Sequence, residues 1–322
     1  MGCGNVFDVR AERLVGEREL VRYRGPVYDS DRWPGFVFRP GDIVISTPPK
    51  CGTTWTQMIC ALLVLQEPVL TQPLSVLSPW LDMLSRACRD VVADLEAQRH
   101  RRFVKTHTPL DGLPLDTSVT YLCVGRDPRD AALSMDNHRE NLDFAAFLAA
   151  RNAAAVIDGI TPDPVAPPPR AEGERQRFWD WVDDDTQPTE VASSLLRTLR
   201  HLQTFWDAPD GVDVVTLHFD DLRTDLEGQM RALADRLAIT VPEHRWPELV
   251  SAATFDQMRA RAALTAPNAQ SGIWHDNEHF FHRGTSGQWR DLLDADDLER
   301  YRARAEAIGP SAVVDWVHRG SL

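Results

Sequence analysis

At 322 residues the chain can bury a sizeable core, either as one large α/β domain or as two average ones. Its composition, 43% hydrophobic and 26% charged, is that of a globular protein. A formal net charge of −13 argues against broad nucleic-acid binding but leaves room for a local cationic pocket. The apolar run Ile59–Leu65 is far too short to span a bilayer, and the N-terminal stretch with Arg10, Glu12, Arg13, Glu17, Arg18 and Glu19 lacks the apolar core of a signal peptide. Val6 stands where an acylation signal beginning Met1-Gly2-Cys3 needs Ser or Thr. The expectation is a soluble cytoplasmic protein. Cys3, Cys51, Cys60, Cys88 and Cys123, odd in number and scattered, agree with reduced thiols there.

Four short segments rich in β-branched or aromatic residues read as strands buried on both faces: Asp42–Ser46, Arg102–Lys105, Val119–Gly125 and Val214–Phe219. Helical patterns alternate with them. Thr53–Gln66 is apolar nearly all round, Asp130–Asn141 starts as an amphipathic helix, and Glu190–Trp206 gathers Leu195, Leu199, Leu202 and Phe205 on one side. Leu226–Leu237 repeats the period, and Asp294–Ile308 is a charged terminal helix. The alternation predicts a single α/β domain over residues 1–322, with a central parallel sheet covered by helices. Within it, Thr161–Arg170 carries Pro162, Pro164, Pro167, Pro168 and Pro169 and reads as a surface loop or lid.

Only Lys50 and Lys105 among the 35 basic residues are lysines, so each marks a place where a compact ammonium serves better than a guanidinium fork. The bias itself fits a bacterial coding sequence rich in G and C. In an open parallel sheet, ligands bind beyond the carboxyl ends of the strands, and both lysines fall there. After the first strand comes Thr47-Pro48-Pro49-Lys50-Cys51-Gly52-Thr53-Thr54-Trp55, a P-loop-like strand–loop–helix whose N–H groups form an anion cradle. It is not a Walker A loop, because the lysine precedes the glycine. After the second comes Lys105-Thr106-His107, with lysine and histidine two apart on one face of extended chain. After the third come Arg126-Asp127-Pro128 and, a turn into the helix, Ser134, where Asp127 and Pro128 also suit a helix start. Near the C-terminus, His282-Arg283-Gly284-Thr285-Ser286-Gly287 has the composition of a flap over a phosphate.

These four motifs, in order across residues 42–290, resemble those of the cytosolic sulfotransferases, which use 3'-phosphoadenosine 5'-phosphosulfate (PAPS) as sulfuryl donor. The resemblance implies that Lys50, Cys51, Gly52, Thr53 and Thr54 hold the 5'-phosphosulfate and that Trp55 and Phe255 pack on adenine. It implies that Arg126, Ser134, Arg283 and Gly284 take the 3'-phosphate. It further implies that His107 accepts the acceptor's proton while Lys105 and Lys50 stabilise the sulfuryl oxygens and the leaving phosphate. A transferring group with less negative charge than a phosphoryl group calls for no metal clamp.

The sequence departs from the family at Cys51 for serine, Phe219 for a tyrosine near the base, and His282 for arginine. The stretch 141–189 does not follow the animal enzymes and is expected to form much of the acceptor pocket, with Trp80, Phe144 and Phe147 as wall candidates. The family's C-terminal dimer motif is not recognisable around Arg290–Glu299, so no dimer is carried over. The expected acceptor is a hydroxyl on a small aromatic or apolar molecule, with a glycolipid or carbohydrate as the alternative. A P-loop kinase-like phosphotransferase and a non-catalytic nucleotide-binding module are the rival functions. His275, Glu278, His279 and His282 have metal-like spacing but run directly into the flap, and Asp180, Asp183, Asp184 and Asp185 read as a solvated helix end.

Overall fold

The computed structural model describes residues 18–162, 164–167, 169–319 and 322. The N-terminal residues invoked above for targeting and acylation, up to Glu17, lie outside them, as do Cys3 and Pro168. Four parallel strands, β1 (Ile43–Ser46), β2 (Phe103–Thr106), β3 (Thr120–Gly125) and β4 (Asp213–His218), form one sheet in the order β2-β1-β3-β4. The first three are buried along their whole length, the edge strand β2 included, whereas β4 at the other edge leaves Asp213–Thr216 open in part. This is the α/β class expected from continuous apolar strands alternating with helices.

Side-chain alternation divides the core into two layers. Ile43, Ile45, Phe103, Leu122 and Val124 face α1 (Thr53–Leu65) and the helices Leu226–Arg236 and Trp246–Ala252. Val44, Val104, Tyr121 and Cys123 face the other layer. That layer holds α2 (Pro128–Asn141), α4 (Glu174–Val182), α5 (Leu195–Trp206), α6 (Ala295–Ile308) and α7 (Ser311–His318). Register carries the division to the strand ends. Lys105 pairs with Ile45 and so lies on the α1 side, whereas Thr106 pairs with Ser46 on the α5 side.

The stretch 141–189 holds two helices, α3 (Phe144–Asp158) and α4, joined by the proline-rich loop. On α4, Phe178, Trp179 and Trp181 are buried in the core. The acidic residues after it make surface ion pairs, Asp183 with Arg300 and Asp185 with Arg304. Glu190–Trp206 is shorter than its periodicity suggested, because Ser194 accepts a hydrogen bond from the Arg197 N–H and starts α5 at Leu195.

Candidate active site

The loop between β1 and α1 ends in an uncapped helix. Gly52, the residue before α1, has φ +104° and no side chain, so the first-turn N–H groups have no side-chain acceptor from the cap position. A Cβ at Gly52 would stand 3.2 Å from the Phe219 ring as well as being strained. Lys50 itself has φ +67°, a costly conformation for a side chain with a Cβ. The Thr47 and Thr53 hydroxyls bond each other across the loop. Lys50 Nζ lies 4.5 Å from the centre of the Phe280 ring and 3.4 Å from His138 Nδ1. Burial, with Arg126 and Lys105 nearby, brings the Lys50 pKa down to about 7.

At the end of β2, Lys105 and His107 share the α1 face and one aromatic neighbour. Lys105 Nζ sits 4.3 Å over the Trp80 ring, and His107 meets the same ring edge-on at 4.8 Å. His107 Nδ1 is 2.7 Å from the Thr47 carbonyl, which only accepts, so that nitrogen carries the proton and Nε2 presents a lone pair. Burial, then the Lys105 charge, holds the imidazole well below its usual pKa. Burial also lowers Lys105, to about 8, against the opposing pull of Asp82. The arrangement is therefore a neutral imidazole beside an ammonium, a base next to an electrophile.

Arg126, 4% exposed, follows β3 and ties the loops together. Its guanidinium donates to the Lys50 carbonyl at 3.0 Å and to the Thr285 carbonyl at 2.9 Å, and it lies 4.4 Å over the Phe219 ring. Its Nε is buried with no partner among the described residues. Phe219 also meets Trp55 edge-on at 5.4 Å, and the Trp55 indole is held by the Ala253 carbonyl at 2.8 Å. Phe255 lies against Gly284, so close that a Cβ there would be 2.4 Å from its ring. The flap is latched to α2, since the Gly287 and Gln288 N–H groups donate to Asp130 at 2.7 and 2.8 Å. Asp127, the N-cap of α2, pairs with Arg129 and accepts from Trp289.

The structure thus gathers Lys50, Lys105, His107 and Arg126 in one place, with Trp55, Phe219, Phe255 and Gly284 flanking it. Ser134 is half-buried on α2, His282 half-buried on the flap, and Arg283 exposed at the surface. Cys51 is fully buried, its thiol pushed up to about 12 by burial and therefore neutral. Among the described residues no carboxylate lies within ion-pair distance of Lys50, Lys105 or Arg126. In a protein of net charge −13, unpaired cations beside an uncapped helix and an orphaned guanidinium nitrogen fit a polyanionic nucleotide.

Beside Lys105, Trp80 packs on a small cluster of Met83, Phe147 and Ile273, joined by Leu142 and Trp274, and Phe144 lies 6.4 Å from Phe147. A cavity of about 20 Å³ opens between this wall and the start of α1, lined by Thr54, Gln57, Ser78, Trp80, Lys105 and Asn268 among others. His138, stacked edge-on against Trp274 at 4.9 Å, joins the same side. It sits one helical turn after Ser134, and the i, i+4 rule applied to that serine would have found it. Asp82 escaped the sequence reading although it is the one acid in the apolar stretch 74–84, whereas Arg197 carries no sequence signal at all. Among the described residues no three His, Cys, Asp or Glu side chains are grouped to hold a metal, and no helix is long and apolar enough to cross a membrane.

A parallel α/β sheet with an anion cradle, a lysine and a neutral histidine at its carboxyl edge defines a nucleotide-dependent group transferase. The sulfotransferase-domain family pattern matches residues 40–308, and the chain belongs to that family; it is a sulfotransferase. It is 41% identical over 311 residues to a glycolipid sulfotransferase of Mycobacterium bovis (strain BCG / Pasteur 1173P2), covering 94% of this chain and 95% of that one. It is 40% identical over 310 residues to a glycolipid sulfotransferase of Mycobacterium tuberculosis (strain ATCC 25177 / H37Ra), with the same coverage. Its fold is similar to that of retinol dehydratase in complex with androsterone and the inactive cofactor PAP, with a TM-score of 0.65 at 20% identity over 87% of this chain and 86% of the other.

Proposed function

We propose that the chain transfers a sulfuryl group from PAPS to a hydroxyl of a glycolipid. The observation that carries this reading is the roughly 40% identity, over 94% of the chain, to two glycolipid sulfotransferases. A second reading, a small aromatic or apolar alcohol, draws on the aromatic wall of Trp80, Phe147 and Trp274. Such a wall also suits the apolar face of a sugar ring.

The donor supplies the activated sulfuryl group, and its phosphosulfate end suits the uncapped start of α1 with Gly52, Thr53 and Thr54. Arg126, Ser134, Arg283 and Gly284 are the groups for the 3'-phosphate, and Trp55 and Phe255 are the faces for adenine. His107, with Nδ1 committed to the Thr47 carbonyl, takes the acceptor's proton at Nε2. Lys105 and Lys50 offer ammonium charge on the sulfuryl and leaving-group sides, and their depressed pKa values rise again when an anion arrives. Replacing His107 by Gln is expected to lower kcat about 10²–10⁴-fold while leaving nucleotide binding intact.

The test has two arms. Calorimetric titration in EDTA with 3'-phosphoadenosine 5'-phosphate (PAP) is expected to give tight binding, and the analogue lacking the 3'-phosphate weak binding. Equal affinity for the two would remove the donor assignment. Sulfate transfer is then compared between a glycolipid and a simple phenol at equal concentration, where a higher kcat/KM for the phenol would favour the second reading.

A further inference from the structure

The chemistry assigned to Lys105 and His107 asks for opposite protonation of two side chains only two residues apart: a charged ammonium and an uncharged imidazole. Both face α1. The opposite face of the same strand end carries two buried ionisable side chains, Asp82 and Arg197.

The first is Asp82, fully buried. Its Oδ2 accepts from Trp33 Nε1 at 3.0 Å, Thr106 Oγ1 at 2.7 Å and Thr108 Oγ1 at 2.6 Å, and its Oδ1 has no partner among the described residues. Thr106 and Thr108 flank His107 in sequence and point away from it, so the carboxylate grips the backbone that carries both site residues. The second is Arg197, on α5 and 1% exposed. It donates to the Tyr28 hydroxyl at 2.7 Å and to the carbonyl of His107 itself at 2.9 Å, and lies 4.4 Å over the Tyr23 ring. Among the described residues its Nε and one terminal nitrogen have no partner, and no carboxylate stands within ion-pair distance.

A guanidinium does not shed its proton in a protein, so a full positive charge remains buried behind His107. Leaving such a charge without a counter-ion is costly, and an apolar side chain of similar volume would pack there with less penalty. A fully buried carboxylate with one bare oxygen carries the same cost. The two costs meet behind the one strand end where a proton must be placed on the lysine and kept off the histidine.

We propose that Asp82 and Arg197 are positioning residues that sort the proton between the two side chains: Asp82 keeps Lys105 an ammonium, and Arg197 keeps His107 a neutral imidazole. The proposal rests on the roles given to Lys105 and His107 above. The charged and titratable groups bearing on His107 are Lys105 on its own strand, Lys50 on the loop, Arg197 and His201 on α5, and His138 on α2. Asp82, whose own pKa burial raises against its hydrogen bonds from Thr106, Thr108 and Trp33, is the acid that bears on Lys105, together with the bases Lys50, His107 and His138, while Lys105 and Arg126 bear on Lys50. The direction agrees with the histidine lying low, where Arg197 adds to the larger effects of burial and Lys105, and with Asp82 opposing the fall at Lys105.

The experiment is the pH profile of kcat/KM for the acceptor at saturating PAPS, which holds Lys50 against the donor throughout. In Arg197→Gln the acidic limb is expected to move up by about one pH unit, a loss of about tenfold in rate on that limb, while Arg197→Lys keeps the limb in place. In Asp82→Asn the alkaline limb is expected to move down by about one pH unit. Nitrogen-15 spectra of the His107 ring in the wild-type protein give a second readout, expected to be the neutral Nδ1–H form at about pH 6. Limbs that stay in place in folded, PAP-binding variants would overturn the proposal. So would a His107 ring found protonated at that pH, which decides the matter if a variant fails to fold. Full turnover in His107→Gln or Lys105→Met would instead overturn the roles on which the proposal rests.

Discussion

Lys50 joins several contacts of the candidate site in one residue. Its backbone is held in the left-handed region, its carbonyl is gripped by Arg126, and its ammonium rests between Phe280 and His138. With a pKa near 7 in the free protein it is largely neutral at about pH 8, and a bound phosphosulfate or phosphate restores the proton. PAP binding at about pH 8 is therefore expected to take up about one proton, read by calorimetry in buffers of different ionisation enthalpy. Lys50→Met is expected to abolish most of that uptake and to lower kcat about 10²–10³-fold. Uptake unchanged in the variant would assign the titration to Lys105 instead.

At the scale of elements, the site is a meeting of three strand ends with one flap. Each strand end was legible, because a buried parallel strand is a short β-branched run and the residues just after it must face the ligand edge. The flap was legible as composition only. Its latch, Asp130 receiving the Gly287 and Gln288 N–H groups, joins segments more than 150 residues apart and has no local signature. Gly284 shows what the latch positions: with φ +65° and Phe255 against it, any Cβ brings both strain and a clash. Gly284→Ala is expected to weaken PAP binding by about tenfold or more, corresponding to about 1.4 kcal/mol, with a small change in Tm. Wild-type affinity in that variant would mean that the flap does not reach the nucleotide. Elsewhere, clustered arginines have a plainer use. Arg39 donates to the Gln98 and Glu96 carbonyls and Arg101 to that of Leu237, closing the ends of two helices.

The whole molecule has its own pH dependence. His107 and His201 are buried and held neutral, with pKa values far below their usual range because burial penalises the charged form. A depressed pKa means that the unfolded chain takes protons first as pH falls below about 6.5, so the stability present above that pH is lost on acidification. Each of the two contributes about 1.4 kcal/mol per pH unit in that window. Between pH 7 and about pH 5 the Tm of the free protein is expected to fall by several degrees, measured calorimetrically. His201→Phe, which keeps the stack on Phe205, is expected to flatten that slope. A slope unaltered by the substitution would place the acid sensitivity elsewhere.

The sequence by itself determined the class of fold, the order of the segments at the carboxyl ends of the strands and the places of Lys50, Lys105, His107 and Arg126 on them. Those properties follow from local rules: side-chain alternation along strands, the geometry of helix starts, and the place where a parallel sheet binds ligands. Only the tertiary structure decided what stands behind those residues. Asp82 and Arg197 are brought to Thr106, Thr108 and His107 by packing between distant segments, and His138 meets Lys50 only once α2 is laid across the loop. A buried charge is expensive wherever it lies, but only the neighbours it meets in three dimensions decide which proton it governs.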